Sequence, residues 1–483
     1  MKKSILQLAS VAFFGIIIGK ALRFAFNIVI ARGLGPDALG IFAFGMVVAR
    51  ASSIFARAGL DQAAQKYIPI YNSNNDYDNL SGLILLCVLI PLLLGTLLSG
   101  ALYISTPLLE STFSVDISTP VQLFLIGIPI LAFFRVTIIS TRGFKETKYT
   151  VISRDIIQSI IGIILIYAGA YLFDSIEFVI VGYLLSLVIG GLAATYFLYA
   201  NDNIQLSPSK IPIKTTLAFS APLVVVGVSS QLVKWSDVFL LGLFVSDSSL
   251  GRYHAAYQTS VILTFILTGV NAIFPSLASD LYSKGNLSEL ERTYSVVTKW
   301  IFCLTTLGCV AVVLFAPAVL SIFGTVTPRA TLSLRILAIA QTITVSTGPV
   351  GYLLIMSGRE QVETINTVVV SVLNILLNLV LIQRYGIVGA SLATGLSLSI
   401  FNILRVVEVY KLIDILPFRA DSMNAVLPMI ISIASLITMS TALENTLVSF
   451  FICGICSLGM FITTFLFLGF NSDDKMLFRS ISG

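Results

Sequence analysis

The sequence predicts an all-α polytopic membrane protein of about fourteen transmembrane helices, because of its composition and the length of its apolar runs. Hydrophobic residues make up 57% of the 483 positions and charged residues 11%, against roughly 45–50% and about 25% in soluble domains. The runs are about 20 residues long, enough to cross a bilayer as a helix. Runs such as 301–315 and 447–470 are apolar on all sides, whereas strands of a membrane barrel alternate polar and apolar residues.

Polar breaks between the apolar runs place the predicted spans along the chain. The spans begin near Leu8, Leu39, Leu80, Ser118, Ile152, Glu177, Thr215, Leu250, Val296, Thr331, Val362, Val388, Met423 and Leu447. An even number of spans puts both termini on one side of the membrane. The start of the chain resembles a signal peptide, but Lys20 and Arg23 interrupt its apolar run and no small-x-small cleavage site follows. We therefore expect this segment to be retained as the first span.

Lysine and arginine are unevenly divided between the two sets of predicted loops. The loops on the side of the termini hold about four times as many as the opposite loops, which have only Arg32, Arg252, Arg329 and Arg384. The positive-inside rule therefore predicts a multi-pass protein of the cell (cytoplasmic) membrane with both termini in the cytoplasm.

Two short sequence correspondences indicate an internal repeat. Residues 35–42 resemble residues 246–253, with Gly40 matching Gly251, and residues 141–144 resemble residues 356–359. The common offset of about 210 residues spans six predicted helices, which gives parallel repeats related by an axis along the membrane normal. The predicted organisation is a six-helix bundle over 1–205, a second over 206–415, and two further helices with a cytoplasmic tail over 416–483.

Basic residues lie within the predicted spans, where a charge costs about 2.5–3.5 kcal/mol near a helix centre and usually faces a polar interior. The candidates for a phosphate-facing, substrate-binding cavity are Lys20, Arg23, Arg50, Arg57, Arg135, Lys234 and Arg335. The first four are concentrated in the first two spans, and the spacing of Lys20 with Arg23 and of Arg50 with Arg57 puts each pair on one helix face. We expect a cavity that receives an anion, and arginine suits phosphate because its planar fork of donors matches phosphate oxygens.

Local pairing is the alternative for several of these charges. Lys234 with Asp237, and Arg405 with Glu408, are three residues apart and are predicted to pair along their helices. Arg154 and Asp155 are predicted to extend toward the cytoplasmic interface. Arg57 also has Asp61 one turn away, so the basic residues of the first spans would, on this interpretation, brace the bundle instead of lining a cavity.

Catalytic residues, metal ligands and cofactors are not predicted. Cys453 and Cys456 form a C-x-x-C inside a predicted span without a histidine or acidic neighbour, so we interpret both as packing residues. His254, the one histidine of the chain, is interpreted as a polar residue at a helix end. Nothing resembles a nucleotide-binding loop.

Two motifs carry a resemblance to a known family. Residues 31–42, ARGLGPDALGIF, resemble the signature between the first two helices of the polysaccharide-biosynthesis, or lipid-linked oligosaccharide, flippases. Residues 385–394, YGIVGASLAT, resemble that family's segment between the eleventh and twelfth helices, and Asn374 and Asn378 precede it. These are the O-antigen flippase-like polysaccharide transporters of the multidrug/oligosaccharidyl-lipid/polysaccharide superfamily, and the resemblance extends over essentially the whole chain.

This resemblance implies a V-shaped pair of six-helix bundles that opens alternately to the two sides of the membrane. Its implied substrate is an oligosaccharide linked through phosphate or pyrophosphate to undecaprenol or dolichol, whose prenyl tail stays in the lipid. We expect a flippase that moves this substrate from the cytoplasmic to the outer leaflet for surface polysaccharide or glycoprotein glycan assembly. Its expected partners are the bilayer and the glycosyltransferases, polymerase or oligosaccharyltransferase of the same pathway, and not nucleic acid.

Two alternatives stay open at the level of the sequence. A cation-coupled multidrug exporter of the same superfamily would need acidic groups in its cavity, and the spans offer Asp61, Asp155, Asp237 and Glu408. A membrane glycan polymerase or ligase would need a sizeable outer loop with catalytic residues, and the longest candidate, 105–116, is short and has no basic residue.

Overall fold

The structure is a computed structural model that describes residues 2–108, 118–144, 147–200, 204–205, 208–221, 223–271, 273–468 and 474. All regular elements of this part of the chain are helices. The first ten are α1 Lys2–Arg57, α2 Leu60–Ser73, α3 Tyr77–Ile104, α4 Thr119–Ile126, α5 Ile128–Arg142, α6 Thr147–Thr150, α7 Gln158–Tyr171, α8 Ile176–Tyr199, α9 Ile213–Ser220 and α10 Leu223–Phe244. A π-helical segment, Val151–Ile157, joins α6 to α7.

The remaining helices continue to the C-terminal part of the chain. They are α11 Asp247–Val261, α12 Phe265–Val270, α13 Phe274–Ser283, α14 Leu287–Leu314, α15 Ala316–Ser321, α16 Pro328–Ser346, α17 Val350–Met356, α18 Glu360–Tyr385, α19 Ile387–Ile413, α20 Val426–Ala442 and α21 Leu447–Leu468. Short 3₁₀ segments cover Ile262–Thr264 and Ala420–Ala425. The all-α class predicted from the sequence is confirmed.

Ten helices of the described residues are long and apolar enough to cross a membrane, and two bent pairs, α4 with α5 and α11–α12 with α13, bring the number to twelve if each pair is one crossing. The predicted number of about fourteen is not confirmed. The count differs partly because the spans predicted near Leu8 and Leu39 both lie in α1, which has a non-helical kink at Gly35 with φ of +87°. The span predicted near Thr215 falls on α9 and α10, and residue 222 between them lies outside the described residues, so this region is not among the counted spans.

Polar residues cap several of the long helices. Asp76 precedes α3 and accepts a hydrogen bond from the backbone N–H of Asn79 at 3.4 Å. The side chain of Asn79 also donates to Asp76, which lies outside the membrane spans, and this bond lowers the pKa of the carboxyl group. Asn286 caps α14 in the same way. These caps satisfy backbone donors that the first helical turn leaves without partners.

The chain divides into two compact units, unit 1 over Met1–His254 and unit 2 over Ala255–Gly483. Their junction lies within α11, so it differs from the repeat boundary at residue 205, which stays a prediction. In unit 1, α2 packs its buried residues Leu60, Ala64 and Ile68 on a core that includes Leu80 of α3. In unit 2, Phe461 and Phe465 of α21 pack near Cys303 of α14.

The two glycines that mark the predicted repeat touch each other's segments within unit 1. A Cβ on Gly251 would collide with the backbone carbonyl oxygen of Pro36, and a Cβ on Gly40 would collide with that of Asp247. Because backbone atoms occupy both positions, no side-chain rotation would relieve the overlap. The start of α11 therefore lies directly against the second half of α1.

We expect Gly251→Ala to destabilise the purified protein by about 1–3 kcal/mol, because the new methyl group would separate two closely packed helices. Thermal unfolding in detergent, followed by size-exclusion chromatography, measures this change. Gly454→Ala is the matched control, since a Cβ there has no atom within 4 Å. An unchanged melting temperature for Gly251→Ala would contradict this packing.

The structure gives positions for the C-x-x-C cysteines and for His254. Cys453 is buried and Cys456 is exposed, both without disulfides, and no metal-holding group of histidine, cysteine, aspartate or glutamate occurs among the described residues. His254 lies inside α11 and not at a helix end, and its Nε2 is 3.1 Å from Oδ1 of Asn27. The helix-end interpretation of His254 was therefore wrong.

Candidate functional site

Unit 1 contains a cluster of charged side chains drawn from α1, α2, α5 and the π-helical segment. Its members, called the cationic cluster below, are Lys20, Arg23, Arg57, Asp61, Arg135, Arg142, Arg154 and Asp155. They are linked by ion pairs or by electrostatic interactions between neighbouring charges. Six basic side chains against two carboxylates leave a net charge of +4. Such a concentration of positive charge inside apolar helices favours an anionic guest.

Asp155 is the centre of one half of the cationic cluster. Its side chain is fully buried, and Oδ1 accepts from Nη2 of Arg23 at 2.9 Å while Oδ2 accepts from Nη2 of Arg154 at 2.7 Å. Nε of Arg154 also donates to Oδ1 at 3.0 Å. One carboxylate thus fixes two guanidinium groups from different helical segments. The π-helical turn that carries Asp155 is a feature often found at functional sites.

Arg57 and Asp61 form the second ion pair of the cluster. Nη1 of Arg57 lies 3.0 Å from Oδ2 of Asp61, and Nε of Arg57 donates to the carbonyl oxygen of Ser53 at 3.3 Å. Arg57 is buried. The local pairing that the sequence offered as an alternative for Arg57 is therefore present.

Arg135 differs from Arg23, Arg57 and Arg154 because its side chain is exposed and makes no ion pair or hydrogen bond to any described residue. It interacts electrostatically with Arg57, Arg142 and Arg154, and among carboxylates with Asp61. Arg142 is exposed as well and lies seven residues further along α5, on the same face. Because a guanidinium in contact with lipid is costly, these two side chains are best explained by a polar, water-accessible face.

Arg50 lies beside this cluster, and Lys20 is the cluster's lysine. Nη2 of Arg50 donates to the hydroxyl of Tyr183 at 3.2 Å, and its Cζ stands 4.9 Å from the ring centroid of Trp235. Tyr183 is buried and also interacts with Arg23, so it connects Arg50 to the cluster. Lys20 is close to Arg23 and to the Asp155 ion pairs.

Two further predicted residues, Arg335 and Lys234, are not members of the cationic cluster as the described residues define it. Arg335 belongs to unit 2, where its Nε donates to the carbonyl oxygen of Val313 at 3.0 Å. The side chain of Lys234 lies outside the described residues. Asp237, its predicted partner, accepts a hydrogen bond from the hydroxyl of Tyr253.

The predicted pairing of Arg405 with Glu408 was wrong, and Asp155 is placed differently from the prediction. Arg405 pairs with Glu363 of α18, and Glu408 accepts from Asn366 of the same helix, because contacts across two helices replace the expected pairing along one. Asp155 is buried in unit 1 between two arginines instead of extending with Arg154 toward an interface.

Arg142 and Arg154 were absent from the predicted site. Arg142 follows the apolar run of its predicted span, and in the structure it is the last residue of α5. Its spacing of seven from Arg135 is the signal that would have placed it on the same helix face.

The chain matches the model of a protein family. Residues 5–279 match the family described as polysaccharide biosynthesis protein. This chain belongs to that family. A second model, MatE, matches residues 222–380. Membership of the polysaccharide biosynthesis protein family agrees with the resemblance carried by the motifs at 31–42 and 385–394.

Curated relatives include two archaeal proteins named as flippases. The probable low-salt glycan biosynthesis flippase Agl15 of Haloferax volcanii is 29% identical over 203 residues, covering 41% of this chain and 42% of that protein. The probable flippase AglR of the same organism is 24% identical over 274 residues, covering 54% of each chain. The matches thus span about half the length of these relatives, whose names describe transport and not an enzymatic reaction.

Solved structures show the fold that this family member shares. The lipid II flippase MurJ in its inward closed conformation aligns with a TM-score of 0.71 at 16% identity, covering 99% of this chain and 100% of that chain. An inward-facing multidrug resistance MATE family transporter of the MOP superfamily aligns with a TM-score of 0.68 at 18% identity, covering 83% and 98%. The protein therefore has the fold of this transporter superfamily and is a multi-pass membrane protein.

Proposed function

We propose that this protein is a flippase that moves an oligosaccharide linked to polyprenyl phosphate or pyrophosphate across the cytoplasmic membrane. The observation that carries the proposal is the cationic cluster of unit 1, with its net charge of +4 and the two exposed arginines Arg135 and Arg142. The relative named as a probable low-salt glycan biosynthesis flippase supports the same class of substrate, and the relative named as a probable flippase supports the same class of transport.

The physical problem that such a protein solves is the cost of moving a charged headgroup through hydrocarbon. An unpaired phosphate in a medium of low dielectric would cost tens of kcal/mol by Born solvation. Arginine forks lower this cost because they return paired, charge-assisted hydrogen bonds to phosphate oxygens. The prenyl tail needs no such protection and remains in the bilayer while the headgroup moves.

The geometry suggests a division of roles among the arginines. Arg135 and Arg142 are exposed, so they would meet the phosphate first. Arg23 and Arg154 already bind the Asp155 carboxylate, which resembles a phosphate in charge and in its acceptor oxygens. A phosphate that reached these groups would compete with Asp155 for the same donors, so binding and release would each exchange one anion for another.

The proposed direction is from the cytoplasmic to the outer leaflet, by alternating access, with both termini in the cytoplasm. The bias of lysine and arginine toward one set of loops supports this orientation. The glycosyltransferases that build the glycan and the polymerase or oligosaccharyltransferase that consumes it would be the partners of this step.

Cells that lack the protein are expected to accumulate complete lipid-linked oligosaccharide on the cytoplasmic face. A membrane-impermeant glycan probe, applied to intact and to opened cells, measures both the amount and the leaflet. Restoring the gene should return the precursor to the outer leaflet. Normal labelling of intact cells lacking the protein and any redundant flippase would contradict the proposal.

A cation-coupled multidrug exporter is the second candidate, and the MatE match over 222–380 is the observation that favours it. A site for cationic drugs should carry a negative charge, whereas the cationic cluster is positive. If drug export were the function, the cells lacking the protein would become more sensitive to cationic drugs while their precursor stayed normally distributed.

A further inference from the structure

Unit 2 contains a cavity of about 300 Å³ that the proposed role of the cationic cluster does not use. Its polar wall consists of Asn271, Thr344, Tyr352, Glu363, Asn402 and Arg405. All six belong to unit 2, on the end of α12, on α16 and α17, and on α18 and α19. The volume lies at the lower end of the range for small-molecule sites, about 300–1,000 Å³.

One wall of the cavity is a break between two helices. Helix α16 ends at Ser346 and α17 begins at Val350, with Gly348 between them at φ of +60°. The hydroxyl of Tyr294 donates to the carbonyl oxygen of Thr347 at 2.7 Å and so satisfies one of the backbone groups freed by the break. Interrupted helices in membrane proteins are tolerated where they are buried in protein or line a cavity, and they often form binding sites.

The charges of this cavity cancel each other. Nε of Arg405 donates to Oε2 of Glu363 at 2.9 Å, and a second bond joins Nη2 to Oε1. The guanidinium lies 3.6 Å from the ring centroid of Phe401 and packs on α17, where a Cβ on Gly351 would stand 3.1 Å from its Cζ. With both charged groups engaged by each other, neither an anion nor a cation is favoured as the occupant.

The remaining wall offers neutral hydrogen-bonding groups beside apolar surface. Oδ1 of Asn271 is buried and accepts no hydrogen bond from the described residues, which leaves an acceptor for a ligand. The hydroxyl of Thr344 donates to the carbonyl oxygen of Ala340 and keeps its acceptor capacity, and the carboxamide of Asn402 donates one N–H to Leu398 and keeps the other. Tyr352 adds an aromatic ring. Saccharides match this combination, since each hydroxyl both donates and accepts while the C–H faces of the ring pack on apolar or aromatic side chains.

We infer that the cavity of unit 2 is a binding site for a small neutral saccharide. The inference deepens the proposed function, on which it rests for the source of the sugar: the glycan of the lipid-linked substrate. Unit 1 would hold the phosphate through arginines, and unit 2 would recognise sugar residues through amides and hydroxyls. Glycan recognition would then be separable from phosphate recognition by mutation.

Saturation-transfer NMR on the full-length protein in nanodiscs, with methyl α-glucoside, methyl α-mannoside and N-acetylglucosamine as probes, tests the inference. We expect at least one probe to bind, and Asn271→Leu to weaken its binding about tenfold by removing the acceptor of one buried hydrogen bond. Thr344→Val is a second, milder variant that should weaken the same probe. Gln383→Leu, at an exposed position of α18 away from the cavity, is the matched control.

A second arm distinguishes a glycan attached to lipid from a free sugar, using glucosyl-phosphoryl-undecaprenol and bare undecaprenyl phosphate in vesicles. Tighter binding of the glucosylated lipid that Asn271→Leu abolishes would assign the cavity to the lipid-linked glycan. Equal binding of the two lipids, with free sugar still bound, would assign it to a free saccharide. No binding of any probe, or an equal loss of saccharide binding in Gln383→Leu, would overturn the inference. The proposed phosphate site is tested separately: if Arg135→Ala weakens the binding of both lipids alike, that proposal stands even where the saccharide inference fails.

Discussion

Replacing Arg135 with alanine is expected to slow flipping of a lipid-linked oligosaccharide about ten- to a hundredfold, because charge-assisted hydrogen bonds contribute about 1.5–3 kcal/mol. Arg135 is one of the two exposed guanidinium groups of the cationic cluster and makes no ion pair or hydrogen bond to a described residue. Its donors would therefore be available to phosphate without first breaking an ion pair. Reconstituted vesicles containing a fluorescent lipid-linked saccharide, with a quencher outside, measure the rate.

Two further variants separate a binding role of Arg135 from a structural one. Arg135→Lys keeps the charge but loses the planar fork, so it should recover only part of the rate. Arg384→Ala, at an exposed position at the end of α18, is the matched control and should flip normally. Normal flipping by Arg135→Ala, with normal abundance in the membrane, would remove Arg135 from the substrate site.

Replacing Asp155 with alanine is expected to lower the free energy of unfolding by about 3–5 kcal/mol, because it leaves two arginines without the carboxylate that neutralises them. Asp155 is fully buried, and it accepts hydrogen bonds from both Arg23 and Arg154. The loss should appear as low abundance in the membrane and a lower melting temperature in detergent.

Asp155→Asn provides the comparison that tests this charge argument. Asparagine keeps the shape of the side chain but replaces one acceptor oxygen with a donor amide, so it should lose less stability than alanine yet still leave the guanidinium charges uncompensated. Removing one of those charges by Arg23→Gln should then recover part of the stability of Asp155→Asn. Additive losses in the double variant would show that the two side chains are not coupled.

The fate of Asp155 also explains how far sequence reasoning reached in the candidate site. Lys20, Arg23, Arg57 and Arg135, which the sequence predicted to line one cavity, lie together in unit 1, and their role as a binding site stays a prediction. Spacing identified the Arg57–Asp61 pair but missed the pairs between helices, because it reports only neighbours close along the chain. Asp155 and Arg23 are 132 residues apart in sequence, and only helix packing makes them an ion pair.

Composition and motifs by themselves determined the all-α membrane class and the family. These follow from local properties, since each apolar run of about 20 residues must form its own hydrogen bonds in lipid and does so as a helix whatever its neighbours are. The short glycine motifs likewise describe local turns and close contacts. Gly40 and Gly251 were matched as repeats from the sequence, yet their direct packing in unit 1 became visible only in the structure.

Tertiary structure alone decided which charges remain available and where a neutral cavity forms. Arg135 is exposed while Arg57 is buried against Asp61, although both are arginines in predicted spans. Arg405 turns to Glu363 on another helix, and this pairing makes the wall of the unit 2 cavity neutral. The physical reason is that electrostatic energy depends on distances and burial among side chains from different helices, and these are set by packing and not by the order of residues along the chain.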